Sequence, residues 1–213
     1  MSSLLQVVPL SQSLLGDILR DGDLAVDLTA GNGHDTLFLS RCVGPTGRVI
    51  SFDLQRAAID KTVHRLDDAG IEPVHIGPPV PAVWHNVLLI NDGHERIGEY
   101  VDTSVKAAIA NLGYLPGSDK KLITRPETTL KALNGIAERL APGGRLAVVV
   151  YTGHAGGEVE AAAVAGWFAA LDSLAWDVLH IDIHNRPQSP FLLVAEKTQP
   201  KNNIASRPDM SKI

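Results

Sequence analysis

Two apolar runs near the end of the chain, WDVLHIDI (176–183) and PFLLVAEK (190–197), are separated by only six residues, HNRPQS. Both read as strands. A crossover between parallel neighbours needs a dozen or more residues, so this pair, if adjacent, forms an antiparallel hairpin. The preceding chain has the opposite character, because its strands alternate with helices. Apolar runs at 24–30, 48–54, 87–92, 104–111 and 145–151 predict five further strands. Helical spacing of apolar residues appears at 11–20, through Leu37, Phe38 and Cys42, at 55–69, at 126–140 and at 157–174. The segment 71–86 carries four prolines and reads as irregular, with one short strand at most. Such alternation predicts an α/β fold with a mostly parallel seven-stranded sheet, one reversed strand and helices on both faces. The 213 residues, 45% hydrophobic and 20% charged, suit one compact domain over 1–197 with a polar tail at 198–213.

Several function classes are excluded or disfavoured at this level. No run of 18 apolar residues could span a membrane. The N-terminus lacks the basic flank and cleavage site of a secretory signal. Cys42 is the only cysteine, so no internal disulfide forms and a reducing cytoplasm is the expected setting. A net charge of -5 weighs against a nucleic-acid-coating protein but leaves room for a local basic patch. Lys120, Lys121 and Arg125 form one such candidate, or else a solvated loop. His180, Asp182 and His184 alternate along a strand, but a polar outer face explains them as well as a metal does, and no metal is expected.

The run AVDLTAGNGHD joins the first strand to a helix. Gly31 and Gly33 permit a tight turn and close approach of a ligand to the backbone. Asp53 lies 20 residues after Gly33, at the end of the next strand, where a carboxylate accepts the two hydroxyls of a ribose. An adenosine-containing cofactor follows. A dinucleotide fingerprint wants a third glycine where Thr36 stands. Asp27 precedes the glycines and would repel a pyrophosphate, yet it suits a cationic amino group. His34 and Asp35 add polar groups at the same edge.

With these motifs the layout resembles the class I S-adenosylmethionine-dependent methyltransferases, a Rossmann-like fold. The usual Asp-x-Gly-x-Gly-x-Gly reads Asp27-Leu-Thr29-Ala-Gly31-Asn32-Gly33, with Thr in the first glycine slot. The resemblance implies a cofactor site over Asp27, Thr29, Gly31, Asn32, Gly33, His34, Asp35, Asp53, Gln55, Asp92, His94 and Asn111. Asp53 would hold the ribose, and Asp92 would sit near the adenine with His94.

Asn111-Leu112-Gly113-Tyr114 closes the fourth of these strands, with the spacing of the Asn-Pro-Pro-Tyr found in methyltransferases that modify amino groups. A nitrogen nucleophile must aim its lone pair at the methyl group. Asn111 can accept one N–H through its side-chain oxygen, and the Leu112 carbonyl can accept another. Gly113 leaves space, and Tyr114 offers a face on which a flipped base stacks, worth ~1–3 kcal/mol.

DLTAGNGHDTLFLS, NLGYLPGSDK, TTLKAL and VVVYTGHAGGEVE together resemble the rRNA methylase family, over about 20–197. That family is associated with methylating the aminomethyl group of 5-aminomethyl-(2-thio)uridine at the tRNA wobble position. The resemblance implies a tRNA anticodon loop as partner, with Lys120, Lys121, Arg125 and Glu158 on the substrate side. His154 is a candidate proton acceptor or phosphate contact, oriented by Glu158, or both belong to a polar loop. A homodimer would enlarge the RNA-facing surface. Methylation of ribosomal RNA or a small amine is the first alternative. An NAD-dependent oxidoreductase and a non-catalytic binding module are the others.

Overall fold

The computed structural model describes residues 6–75, 86–113, 124–153, 156–186 and 188–198. Eight strands form one sheet: β1 Leu24–Asp27, β2 Arg48–Phe52, β3 Val74–His75, β4 Asn86–Ile90, β5 Val105–Leu112, β6 Leu140–Val150, β7 Trp176–Ile181 and β8 Phe191–Lys197. Their order is β3-β4-β2-β1-β5-β6-β8-β7. Every pairing from β3 to β6 is parallel, whereas β8 runs antiparallel to both β6 and β7. The terminal hairpin is therefore present. The strand beyond the expected seven is the two-residue β3, inside the proline-rich segment.

Among the described residues, five helices and one 3₁₀ segment cover the sheet: α1 Val7–Gly16, α2 His34–Val43, α3 Arg56–Asp68, the 3₁₀ segment His94–Glu99, α4 Pro126–Arg139 and α5 Gly157–Ala169. Side chains alternate along each strand, so one strand feeds two cores. In β5, Ala108, Ala110 and Leu112 face the layer of α4 and α5, while Ala107 and Ile109 face α1, α2 and α3. Both sets are almost wholly buried. That explains the unbroken apolar runs, because a sheet covered on both faces has no polar side to show.

Several boundaries differ from the sequence reading, β1 ending at Asp27 rather than 30 and β6 starting at Leu140 rather than 145 among them. The first helix starts at Val7 rather than residue 11, because Pro9 in its first turn needs no intrahelical partner for its nitrogen. The last helix stops at Ala169 rather than 174, where backbone N–H groups of the next residues turn back onto Asp172. Strand β7 ends at Ile181, and a turn from Ile183 to Arg186 follows. Asp182 and His184 thus lie beyond the strand and do not continue the alternation of His180, whose ring packs 4.9 Å from Phe191. Among the described residues, no cluster of three metal-ligating side chains forms and no helix is long and apolar enough to cross a membrane.

Candidate active site

The chain visits β2 and β4 on one side of β1, then places β5 on the other. Such a reversal opens a crevice at the carboxyl ends of the two central strands, where α/β sheets bind ligands. The loop after β1 and the exit of β5 line it.

The first wall is the glycine loop. Gly31 and Gly33 have φ of +56° and +77°, in the left-handed region, and Gly33 caps α2. A Cβ on Gly33 would lie 2.9 Å from Thr62 Cα of α3, so the loop is also packed too closely for a side chain. Beneath it sits Asp27, fully buried. The Thr29 N–H donates to its Oδ1 at 3.0 Å, and Thr36 Oγ1 donates to its Oδ2 at 2.7 Å. With its proton on Asp27, Thr36 must accept from Ser51 Oγ, 2.8 Å away. Burial first, then the charge of Asp35, push the Asp27 carboxyl from the usual 3.8 up to about 7. Asp27 therefore supports the loop from below.

The second wall carries Asp53. The Gly31 N–H donates to its Oδ2 at 3.0 Å and the Gln55 N–H to its Oδ1 at 2.8 Å. Burial raises its proton affinity, opposed by these two N–H groups and by the nearby charge of His94. His94 Nδ1 lies 3.0 Å from the Leu28 carbonyl, an acceptor, so this nitrogen carries the proton of that bond. Gln55 precedes α3, and His34 is the exposed first residue of α2. The Asn32 carbonyl accepts from Arg65. Asp92 is engaged by its own 3₁₀ segment: its Oδ2 takes Arg96 Nη1 and Tyr100 Oη, each at 2.6 Å, and its Oδ1 takes the Gly93 N–H.

The third wall is the end of β5. The Asn111 N–H donates to Thr29 Oγ1 at 2.8 Å, which ties this strand to the glycine loop. Asn111 Nδ2 donates to Asp35 Oδ2 at 2.6 Å, and Gln12 Nε2 of α1 donates to Asp35 Oδ1 at 2.6 Å. An ionised carboxylate only accepts, so Asp35 draws the NH₂ edge of Asn111 and leaves Oδ1 as the edge able to accept. The Leu112 carbonyl already takes the Tyr151 N–H at 3.2 Å, leaving one lone pair. Gly113 exchanges bonds with Thr124, through its N–H to Oγ1 and through its carbonyl to the Thr124 N–H.

Tyr114, Lys120, Lys121 and His154 lie outside the described residues. Arg125 is exposed at the start of α4, where its carbonyl accepts from Thr128 and Thr129. Glu158 is exposed, and it is Glu160, two residues on, that is engaged. Buried to 2% exposure, Glu160 accepts from Thr124 Oγ1 at 2.6 Å and Thr129 Oγ1 at 2.7 Å.

Sequence reasoning missed Gln12, Asn91, Leu54, Tyr151 and Glu160. Asn91 Nδ2 clamps the carbonyls of Asp53 and Leu54 at 2.9 and 3.1 Å. Leu54 is 67% exposed beside Asp53, an apolar side chain left out of the core. Tyr151 stands at the end of β6, its ionisation pushed up by burial and by Asp35. Its place as the last residue of the fifth expected strand was the available signal. For Gln12 the only signal was an amide among apolar neighbours on a helix.

Comparison with known proteins follows the same lines. The family model "Putative rRNA methylase" matches residues 49–197. A curated relative from Arabidopsis thaliana, "tRNA (mnm(5)s(2)U34)-methyltransferase, chloroplastic", is 35% identical over 189 residues, 85% of this chain. The match spans 66% of that relative's length. A structure described as a "putative rRNA-methylase" from Clostridium thermocellum superposes with a TM-score of 0.81 at 37% identity, covering 89% of this chain and 96% of that one. A "putative methyltransferase" from Streptococcus mutans, in complex with SAH, gives 0.76 at 39% identity, covering 89% and 97%.

A mostly parallel sheet that ends in a reversed strand, with a glycine loop and a carboxylate at its switch point, defines the class: a Rossmann-like class I methyltransferase, whose cofactor is S-adenosylmethionine. The residues present fit that group. Asp27, Asp35 and Asp53 gather three carboxylates at one edge, a charge set that favours a cation and opposes a pyrophosphate. Within the class, the chain belongs to the rRNA methylase family.

Proposed function

We propose that this protein methylates the aminomethyl amine of 5-aminomethyl-(2-thio)uridine at the wobble position of tRNA, in the cytoplasm. One observation carries the reading: the Asn111 amide is held by Asp35 so that its oxygen is the edge offered at the end of β5. A primary amine has two N–H groups to give to two fixed acceptors, whereas a hydroxyl has one O–H and a carbon acceptor none. The name of the Arabidopsis relative supports the same substrate.

When bound, S-adenosylmethionine supplies a methyl carbon whose bond to sulfur breaks as the amine nitrogen forms its bond to that carbon. The chain's own residues do the positioning. Asn111 Oδ1 and the remaining lone pair of Leu112 accept the two N–H groups of the neutral amine, so its own lone pair faces the methyl. Those acceptors also disperse the positive charge that grows on nitrogen. Both oxygens of Asp35 are committed to Gln12 and Asn111, so its role is orientation and His154 takes the proton. Asp53 holds the ribose hydroxyls, while Gln55, Leu54 and His94 flank the adenosine. Gly31, Asn32, Gly33 and His34 bring backbone and side chain to the methionine end, beside Thr29. Tyr114 stacks on the extruded base over Gly113, and Lys120, Lys121, Arg125 and Glu158 meet the anticodon loop. A homodimer, joined at the exposed Val178 and Leu179 of the edge strand β7, is the RNA-binding form.

The family description favours ribosomal RNA as the second reading. Mass analysis of nucleosides from a deletion strain separates the two. The expected result is accumulation of 5-aminomethyl-uridine species in tRNA with ribosomal RNA unchanged. An unchanged tRNA profile with a methyl group missing from ribosomal RNA overturns the tRNA assignment.

A further inference from the structure

Outside the crevice, the described residues form a groove of about 470 Å³ between α2 and α3, and its lining is cationic. Arg41 comes from α2, and Lys61, His64 and Arg65 from α3. On α3 these residues and Asp68 fall at i, i+3, i+4 and i+7, a single stripe of the helix. The buried stripe of the same helix is Ala58, Ile59, Thr62 and Leu66, so the cations are not packing residues. Arg41, Lys61 and His64 are exposed, and none of the three forms an ion pair among the described residues. Arg65 is half-buried and braced, its Nε donating to the Asn32 carbonyl. Asp68 is the one acid in the lining.

Two features decide what such a groove takes. Pockets for small organic ligands are mostly apolar, whereas this one offers Leu37 and Ala69 as its apolar side chains. The chain as a whole is acidic, with 24 Asp and Glu against 19 Lys and Arg, so a local excess of cations from two helices stands against the field around it. The chemistry recognised is a row of phosphates. Asn32 lines the groove and also sits between the two glycines of the cofactor loop. Through Asn32 the groove adjoins the cofactor loop.

We infer that the α2–α3 groove is a docking track for the sugar-phosphate backbone of the RNA substrate, with Arg41 and Lys61 as its main contacts. The inference rests on the RNA reading given above. Phosphate contacts of this kind fix register and add affinity without reading sequence. The three cations and His64 are scattered over positions 41–65 of the sequence, and folding brings them to one place.

The test is binding of an unmodified tRNA transcript to the full chain, followed by fluorescence anisotropy from about 50 to about 200 mM salt. Arg41→Glu with Lys61→Glu is expected to weaken binding at least about tenfold and to flatten the log–log salt slope by about one to two. Arg41→Ala with Lys61→Ala removes the contacts without adding repulsion, and the slope should flatten by the same amount. Binding of S-adenosylhomocysteine and the unfolding temperature should match wild type for both. If wild type binds tRNA and both variants bind it within twofold, with an unaltered slope, the inference is overturned while the RNA reading stands. Inorganic phosphate bound at the groove, with tRNA affinity unchanged by the substitutions, overturns it as well. A wild-type chain that neither binds nor methylates RNA overturns the RNA reading, and this docking track falls with it.

Discussion

The amide of Asn111 has a donor edge and an acceptor edge, and a carboxylate 2.6 Å away settles which is which. Asp35 is in turn held by Gln12, so a helix at the start of the chain reaches the exit of β5 through two hydrogen bonds. Asp35→Asn leaves only one acceptor oxygen for two donors, and one of the amides must turn. The expected loss in kcat is on the order of tenfold, about 1.4 kcal/mol. In an Asn111→Ala background the same substitution should cost almost nothing, because no amide remains to orient. Equal losses in both backgrounds would contradict the orienting role. Asp27 gives a second prediction. Its carboxyl titrates near 3.8 when unfolded and at about 7 when folded, so between those values the folded state holds the extra proton. Stability therefore falls as pH rises through that window, by at most ~1.4 kcal/mol per pH unit, and levels off above it. Chemical denaturation across pH should show this decline in wild type and a flatter profile in Asp27→Asn. A wild-type profile that rises instead would contradict the assignment.

Among elements, the exit of β5 is secured from the far side by α5. Glu160 accepts from Thr124 and Thr129, and Thr124 in turn holds Gly113. Glu160→Ala removes two charge-assisted bonds and strands two hydroxyls. The expected destabilisation is about 2–3 kcal/mol, a fall of roughly 4–10 °C in Tm, with Glu160→Gln milder because one acceptor oxygen survives. Melting within a degree or so of wild type would show that these bonds are not holding the loop. Such links explain what the sequence could and could not tell. The glycine loop, Asp53 and Asn111 were legible because each depends on turn chemistry or strand length within a few residues. Helix and strand order were legible because apolar spacing is local. The partnerships Gln12–Asp35, Asp35–Asn111 and Glu160–Thr124 join residues 23, 76 and 36 positions apart, and no periodicity encodes them. Asp182 and His184 were misread as strand residues because alternation alone does not mark where a strand stops.

At the scale of the molecule, the order β3-β4-β2-β1-β5-β6-β8-β7 does two things at once. It closes both apolar faces of the sheet under helices, and it parts the chain beside β1 so that Thr29, Asp53 and Asn111 meet at one edge. The terminal hairpin, inferred from a six-residue link, closes the far side of the sheet, and its loop meets the carboxyl edge where Thr152 Oγ1 donates to the Gln188 carbonyl at 3.4 Å. The groove between α2 and α3 adjoins that edge through Asn32 of the glycine loop. Whether the crevice and the amide form one reacting centre is decided most directly with Asn111→Ala, by measuring methyl transfer to unmethylated tRNA and affinity for S-adenosylhomocysteine on the same preparation. The account predicts a loss of roughly 10²–10³ in kcat with cofactor affinity within a few-fold of wild type. Turnover at the wild-type rate would contradict it.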